Sequence, residues 1–116
     1  MPEGGPDPRW KIVRGFARFV VDLPFTILFS ETGSEGAIRG RMTDLSLGGL
    51  HGILAEDVAV GQRLWVEFAL PGAAEPLRIR CRVCHGFDRA YGFQFLNITP
   101  EQRDLVRAAC QDLRIV

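Results

Sequence analysis

Residues 37–49 read AIRGRMTDLSLGG, and this segment carries the strongest structural signal in the chain. In its first half, Ile38 and Met42 fall on one face of an extended backbone, while Arg39 and Arg41 fall on the other. Alternation with a period of two predicts a β-strand that has one face in the core and one face in water. The hexamer DLSLGG that follows has the small and polar residues of a tight turn. We therefore expect a strand that ends in this turn.

Five further segments show strand signals on either side of this one. The clearest is residues 77–84, in which every second residue is apolar and the residues between them include Arg78, Arg80 and Arg82. Turn-rich sequences, such as SETGSEG at residues 30–36, separate the strands. The six predicted strands span residues 23–29, 37–43, 49–54, 63–70, 77–84 and 90–96.

The hydrophobic period changes after the last predicted strand. Thr99 can cap a helix, Pro100 suits the first helical position, and Gln102 can complete a capping box with Thr99. Apolar residues then recur at spacings of three and four, which predicts an amphipathic helix. These residues are Leu105, Val106, Ala109, Cys110 and Leu113. The pattern indicates a mainly β fold: a small six-stranded antiparallel barrel with one C-terminal α-helix packed against it.

Length and composition describe one globular domain. The chain has 116 residues, of which 47% are hydrophobic and 24% are charged, and this is enough for one core but not for two domains. Residues 1–9 are rich in proline and glycine. We therefore expect a disordered N-terminal tail over residues 1–9, followed by a single domain over residues 10–116.

Charge and hydropathy narrow the classes of partner. The 14 basic and 14 acidic residues cancel, so no overall field favours a nucleic acid polymer or an anionic membrane. No apolar run is long enough for a membrane span and no signal peptide is visible, so we expect a cytoplasmic protein without membrane insertion. In that compartment, an odd number of cysteines, three, fits reduced thiols.

Residues 81–85 read CRVCH, the pattern used for covalent attachment of c-type haem. On a strand, however, Cys81 and Cys84 face opposite sides and lie about 10 Å apart, so they cannot hold one cofactor together. We therefore expect no metal and no cofactor. Cys81 is interpreted as a core residue, Cys84 as a thiol at the end of the strand, and Cys110 as part of the helix's apolar side.

The two histidines, His51 and His85, are far apart in sequence, and no nucleophile or carboxylate pair is evident around them. We therefore expect no catalytic residues and do not expect an enzyme. His51 is interpreted as a satisfied strand residue that could also touch the rim of a ligand site. The strip of arginines on residues 77–84 is interpreted as a solvated face. The alternatives for this strip are a face that lies next to a ligand or contacts a partner, and contact with RNA, which the zero net charge disfavours.

Two short motifs remain, and together they are the strongest functional signal. Arg14 and Arg18 form an RxxxR element ahead of the first predicted strand, and residues 44–49 form a DxSxxG element after the second. Either element could occur by chance, and Asp44 and Ser46 could simply bond the backbone of their own turn. In this order and with this strand pattern, however, the chain resembles the PilZ domain family, receptor modules for the bacterial second messenger cyclic di-GMP.

The resemblance covers nearly the whole chain and includes the segments DLP at residues 22–24 and YGFQF at residues 91–95. It implies a PilZ-like split barrel whose ligand is cyclic di-GMP. The residues that match the family's motif, with one neighbouring glycine, are Arg14, Arg18, Asp44, Ser46, Gly48 and Gly49.

The chemistry of these residue types suits a cyclic dinucleotide. A guanidinium group can bond phosphate oxygens or guanine O6 and N7 in a bidentate way, and it can stack on a base. Asp44 can accept hydrogen bonds from the N1–H and amino groups of guanine, and Ser46 offers a hydroxyl. Gly48 and Gly49 would permit positive φ and a close approach of backbone to ligand, and the amides of the turn could form a small anion-binding nest.

Several points of function stay open at this stage. Many PilZ domains have a further arginine where this chain has Val13, so either one ligand or a stacked pair of ligands could bind. Because the sequence contains no visible output domain, we expect the signal to reach an unidentified protein effector in the control of bacterial motility, biofilm or exopolysaccharide. The N-terminal segment is the expected moving part. The alternative is a PilZ-fold interaction adaptor that binds no nucleotide.

Overall fold

A computed structural model of the protein describes residues 16–111 and residue 113. Six antiparallel strands close into a barrel in the order β1-β2-β3-β6-β5-β4, and one helix follows the last strand. The mainly β barrel predicted from the sequence is therefore confirmed. The elements are β1 (Phe19–Leu28), β2 (Ala37–Leu45), β3 (Gly49–Leu54), β4 (Arg63–Phe68), β5 (Leu77–Phe87), β6 (Ala90–Asn97) and α1 (Pro100–Cys110).

The core lies inside the barrel and is built from alternate residues of each strand, as the period-two pattern requires. The predicted inward faces of β2, β4, β5 and β6 are confirmed by the burial of their apolar side chains, while the arginines between them point outward. The buried residues of these four strands are Ile38, Met42, Leu45, Leu64, Val66, Phe68, Leu77, Ile79, Cys81, Val83, Tyr91, Phe93 and Phe95.

Several strands are longer than predicted. β1 begins four residues before the predicted start at Leu23, because Phe19 and Val20 pair with the end of β2. β2 runs on to Leu45, and β5 continues past its predicted end at Cys84. The strand pairing is irregular near all three places, and in β2 and β5 the alternation of buried and exposed residues also breaks down.

A β-bulge in β2 explains one of these breaks. Met42 pairs with Gly52 and Asp44 pairs with His51, so Thr43 is an extra residue between two consecutive pairs. Because the extra residue reverses the alternation, Leu45 enters the core, where it is fully buried, and Asp44 joins the outer face beside His51. A regular strand would have placed Asp44 on the same face as Met42.

A second bulge lies in β5. Val83 pairs with Phe93, and His85 pairs with Gly92, so Cys84 is the extra residue. Cys84 is therefore a bulge residue rather than the end of the strand, and His85 lies on the outer face. Cys81 is buried and Cys84 is half-buried, which confirms that the two thiols do not share a face. Burial, and to a smaller extent nearby Cys84, raises the pKa of the Cys81 thiol.

The turn between β2 and β3 is held by Ser46. Its hydroxyl accepts hydrogen bonds from the amides of Gly48 and Gly49, both at 3.1 Å, and donates to the carbonyl of Gly49 at 3.2 Å. These two amides are thus satisfied inside the turn and do not form the expected anion nest. Neither glycine adopts a positive φ. The expectation that this turn needs glycine for a positive φ is therefore wrong.

Glycine is required at this turn for close packing instead. A Cβ atom on Gly49 would lie 2.0 Å from the carbonyl oxygen of Phe93, which is backbone of the neighbouring strand. A Cβ atom on Gly48 would meet only the ring edge of Phe16, at 2.8 Å. Because Phe16 is a half-exposed side chain that can rotate away, only the first contact is fixed by the barrel itself.

The helix begins as predicted. Thr99 caps α1, and Thr99 and Gln102 form both hydrogen bonds of a capping box. Val106 and Cys110 are buried against the barrel, but Leu105 is 37% exposed. The predicted apolar face was therefore too wide, because a single helix on the outside of a barrel contacts it along a narrow stripe.

Replacing Gly49 by alanine should lower the free energy of unfolding by about 1–3 kcal/mol or more, because the new methyl group meets backbone that cannot move without opening the β3–β6 pairing. Gly48→Ala is the matched control, and we expect a smaller loss there. Urea unfolding followed by circular dichroism measures both. Equal losses in the two variants would contradict the assigned contact with Phe93.

Candidate functional site

Three polar side chains form a row on the outer face of the barrel. Asp44 on β2 pairs with His51 on β3, His51 pairs with Gly92 on β6, and Gly92 pairs with His85 on β5. Residues directly opposite each other in antiparallel strands share a face. The row therefore crosses four strands. The bulge in β2 places Asp44 at one end of the row, and the bulge in β5 places His85 at the other end.

Asp44 is the centre of the polar contacts. Its Oδ2 atom accepts a hydrogen bond from an Arg18 Nη atom at 3.1 Å, and its Oδ1 atom lies 2.9 Å from Nδ1 of His51. Burial disfavours the charged form of Asp44, but the hydrogen bonds and charges of His51 and Arg18 outweigh it and hold the pKa of this carboxyl below its ordinary value. Asp44 is therefore ionised at neutral pH, and it does not simply bond its own turn.

The two histidines meet over Gly92. Their Nε2 atoms are 3.2 Å apart, and the ring centroids are 5.0 Å apart. A Cβ atom on Gly92 would lie 2.3 Å from Nε2 of His85 and 3.0 Å from Nε2 of His51, so the missing side chain makes room for the contact. His51 is thus a satisfied strand residue, as interpreted, and the two histidines are neighbours in the barrel with one carboxylate, that of Asp44, beside His51. A single sequence gives no sign of this pairing, because it depends on the strand order and on both bulges.

The two sequence motifs meet at one end of a groove. Arg18 directly precedes β1, and its ion pair with Asp44 holds it against the turn that contains Ser46. Arg18 is therefore anchored rather than part of a flexible stretch. Arg14, the other member of the motif, and Val13 lie outside the described residues, as do the predicted tail and the N-terminal segment expected to move.

The groove has a volume of about 980 Å³, which is large enough for a ligand of the size that protein clefts commonly hold. We call it the arginine groove. Some of its lining residues belong to the two sequence motifs, and others lie outside these motifs. The lining includes Arg18, Ser46, Gly48, Gly49, His51, Arg82, His85, Gln94 and Arg103.

Two of these arginines were not predicted as site residues. Arg82 comes from the exposed strip on β5, and Arg103 comes from the first turns of α1. Arg78, in the same strip as Arg82, instead pairs with Glu67 at 2.6 Å. The alternation of β5 predicted an exposed basic face, but only the closure of the barrel decides which of its arginines faces the groove.

Arg18 retains an unused hydrogen-bond donor. Its Nε atom is buried and has no hydrogen-bond partner among the residues that the structure describes. An unsatisfied buried donor is costly, and a charged one more so. The guanidinium group is thus anchored by one ion pair, while 37% of the Arg18 side chain remains exposed.

A second groove, of about 570 Å³, lies on the other side of the histidine pair. Its lining includes Ile53, Phe87 and Tyr91, and also Asp44, which does not itself line the arginine groove. The side chain of Phe87 is 85% exposed and that of Ile53 is 52% exposed. We call this the apolar groove. Exposed large apolar side chains that lie together are typical of surfaces that contact another molecule.

A closed six-stranded antiparallel barrel with one packed helix, an arginine ahead of its first strand and a DxSxxG turn between its second and third strands defines a class of small β-barrel domains. The model of the PilZ domain matches residues 12–112. The chain belongs to the PilZ domain family, as the motifs predicted. No curated protein matches the chain by sequence comparison.

Solved structures support the same fold. The PilZ domain of Escherichia coli YcgR with c-di-GMP is 18% identical over 84% of this chain and 88% of that chain, with a TM-score of 0.65. The inhibitor of motility MotI/DgrA of Bacillus subtilis is 18% identical over 83% of this chain and 48% of that chain, with a TM-score of 0.68. The PilZ domain of CeSA from a cellulose-synthesizing bacterium is 20% identical over 79% and 93%, with a TM-score of 0.60.

Residues 16–111 and 113 lack two kinds of feature, a membrane-spanning helix and a cluster of metal ligands. No helix among them has the length and apolar character needed to cross a membrane. No group of three or more histidine, cysteine, aspartate or glutamate side chains within this range is placed to hold a metal ion.

Replacing Asp44 by asparagine should lower the free energy of unfolding by about 1–3 kcal/mol at pH 7, because Arg18 and His51 lose a charged partner. Since the folded-state pKa of Asp44 is lowered, this stabilisation is present above the unfolded-state pKa of about 3.9 and is lost as the pH falls through the folded-state pKa. Urea unfolding of both proteins at a series of pH values measures the difference.

The matched control is Asp22→Asn, which removes an exposed carboxylate that pairs with Arg41. We expect a smaller effect there, because exposed ion pairs contribute little. A difference between wild type and Asp44→Asn that stays constant from pH 7 to pH 3 would contradict the ionised role of Asp44.

Proposed function

We propose that this protein is a non-catalytic receptor for cyclic di-GMP, which it binds in the arginine groove. The observation that carries the proposal is the meeting of Arg18 with the DxSxxG turn at one end of this groove. In this proposal Arg14 and Arg18 bind phosphate and guanine, and Asp44 and Ser46 form the base site with Gly48 and Gly49. Membership of the PilZ family and the c-di-GMP complexes of Escherichia coli YcgR support this ligand.

The charges of the groove fit a ligand with two phosphodiester anions. Arg18, Arg82 and Arg103 line it together. The ionised carboxylate of Asp44 beside them holds Arg18 in place and has further lone pairs, which can accept from the N1–H and amino groups of guanine. The Arg18 side chain is 37% exposed, so a guanidinium that the fold already positions remains open to a ligand.

Because binding a ligand performs no chemistry by itself, such a receptor transmits its signal by contacting another protein. The apolar groove is adjacent to the arginine groove, and His51 and His85 line both. A protein effector that covers Ile53 and Phe87 would therefore lie next to the ligand. We propose that this occurs in the cytoplasm and controls bacterial motility, biofilm or exopolysaccharide.

A second candidate function is an interaction adaptor that binds no nucleotide. One observation favours it: the Ser46 hydroxyl is fully engaged in its own turn, and both carboxylate oxygens of Asp44 already have partners. The exposed Phe87 would serve an adaptor equally well. The two candidates differ in whether the arginine groove binds a nucleotide.

Calorimetric titration with cyclic di-GMP tests the proposal, with GTP and cyclic di-AMP as ligand controls. We expect saturable binding of cyclic di-GMP alone, and loss of at least about tenfold in affinity in both Arg14→Ala and Arg18→Ala, because charge-assisted bonds to phosphate contribute about 1.5–3 kcal/mol each. The measured stoichiometry also answers whether one ligand or a pair binds beside Val13.

Arg39→Ala is the matched control, because Arg39 is an exposed arginine on β2 that lines neither groove. It should bind as the wild type does. Far-UV circular dichroism and urea unfolding of each variant separate lost binding from lost fold, since Arg18→Ala also removes an ion pair with Asp44. A folded wild-type protein that produces no binding heat would refute the receptor and leave the adaptor.

A further inference from the structure

The geometry points to a divalent transition-metal site formed by His51 and His85, with Zn²⁺ as the ion it fits. We propose that the two Nε2 atoms are its protein ligands and that water fills the remaining positions. The two histidines also line the arginine groove, but the proposal does not depend on cyclic di-GMP binding.

The first argument is the distance between the two ligand atoms. Nε2 of His51 and Nε2 of His85 are 3.2 Å apart. Two histidine nitrogens on one tetrahedral zinc, each bonded at about 2.0–2.1 Å, lie about 3.3 Å from each other. The pair therefore needs almost no movement to chelate one ion, although the two residues are 34 positions apart in the chain.

The second argument is the support around His51. Its Nδ1 atom lies 2.9 Å from Asp44 Oδ1, and Asp44 is itself held by Arg18 at 3.1 Å. An Nδ1–H that donates to a carboxylate fixes the tautomer in which Nε2 carries the lone pair, and it makes that nitrogen a better ligand. Such carboxylate–histidine–metal arrangements are the usual second layer of zinc sites.

The third argument is the space at the pair. Gly92 lies between the two histidines in the sheet, and its Cβ atom, if it had one, would be 2.3 Å from Nε2 of His85. The side chain of His51 is 32% exposed and His85 is exposed, so the two nitrogens are accessible to an ion from solvent. Because zinc prefers four ligands, two histidines leave two positions for water or another ligand, one more than in open zinc sites with three protein ligands.

A direct hydrogen bond between the imidazoles is the competing explanation of the same distance. One Nε2–H would then donate to the other Nε2, and a metal ion would replace that proton. The two explanations make different predictions for added metal: a hydrogen-bonded pair without metal affinity is unaffected by Zn²⁺, whereas a metal site saturates at one ion per chain.

The test uses the full untagged chain, without nucleotide, titrated with zinc chloride. Because the chain has only two histidines, a long-range ¹H–¹⁵N spectrum contains just two imidazole systems. We expect both Nε2 signals to shift in step and saturate at one Zn²⁺ per chain, with calorimetry giving the same stoichiometry. Unchanged imidazole signals in the presence of excess Zn²⁺ would overturn the proposal.

Gly92→Ala is the sharpest variant, because it keeps both histidines. The new methyl group collides with the end of the His85 side chain, which can rotate away without moving backbone. We expect the barrel to remain folded and saturable Zn²⁺ binding to be lost, as it should be in His85→Ala. Zinc binding of wild-type strength in folded Gly92→Ala would contradict the assigned geometry.

Cys84→Ser is the control for an alternative ligand, since Cys84 is half-buried one residue before His85. We expect Zn²⁺ binding to be unchanged in this variant. Substitution by Co²⁺ adds a spectroscopic check: histidine and water ligands give visible bands without the near-ultraviolet charge-transfer band of a thiolate. A thiolate band, or loss of binding in Cys84→Ser, would contradict the assignment to the histidine pair and show that a cysteine binds the ion.

Discussion

The outer surface of this barrel depends on two bulges that reverse the alternation of β2 and β5. In β2 the extra residue Thr43 places Asp44 outside and returns Leu45 to the core, and in β5 the extra residue Cys84 places His85 outside. Without the first bulge, Asp44 would lie on the core side and Leu45 on the surface. The polar row of Asp44, His51 and His85 therefore forms because the register shifts by one residue in two strands that are otherwise regular.

Two glycines, Gly49 and Gly92, allow close contacts between neighbouring strands, and neither adopts a positive φ. Gly49 lets the backbone of β3 approach that of β6, and Gly92 clears the space in which His51 and His85 meet. In both positions the cost of glycine in a strand is offset by a contact that no other residue allows. The motif glycine of the family is thus explained here by barrel packing, with or without a ligand.

Asp44 links the fold to the proposed functions. It receives Arg18 from the start of β1 and His51 from β3, so one partly buried carboxylate orients the cation of the arginine groove and the first imidazole of the histidine pair. Its lowered pKa follows from these same partners. Any change at Asp44 therefore alters both sites together, whereas a change at Arg82 addresses the arginine groove.

The sequence by itself determined the barrel, the inward faces of its strands, the helix cap and the family, because each rests on local periodicity, on turn chemistry or on short motifs. It also singled out Arg18 and Asp44, which the structure brings together. Only the tertiary structure decided where strands continue through bulges, which arginines line the groove, and that His51 and His85 touch. These features depend on register and strand order, which are set by packing between segments far apart in sequence.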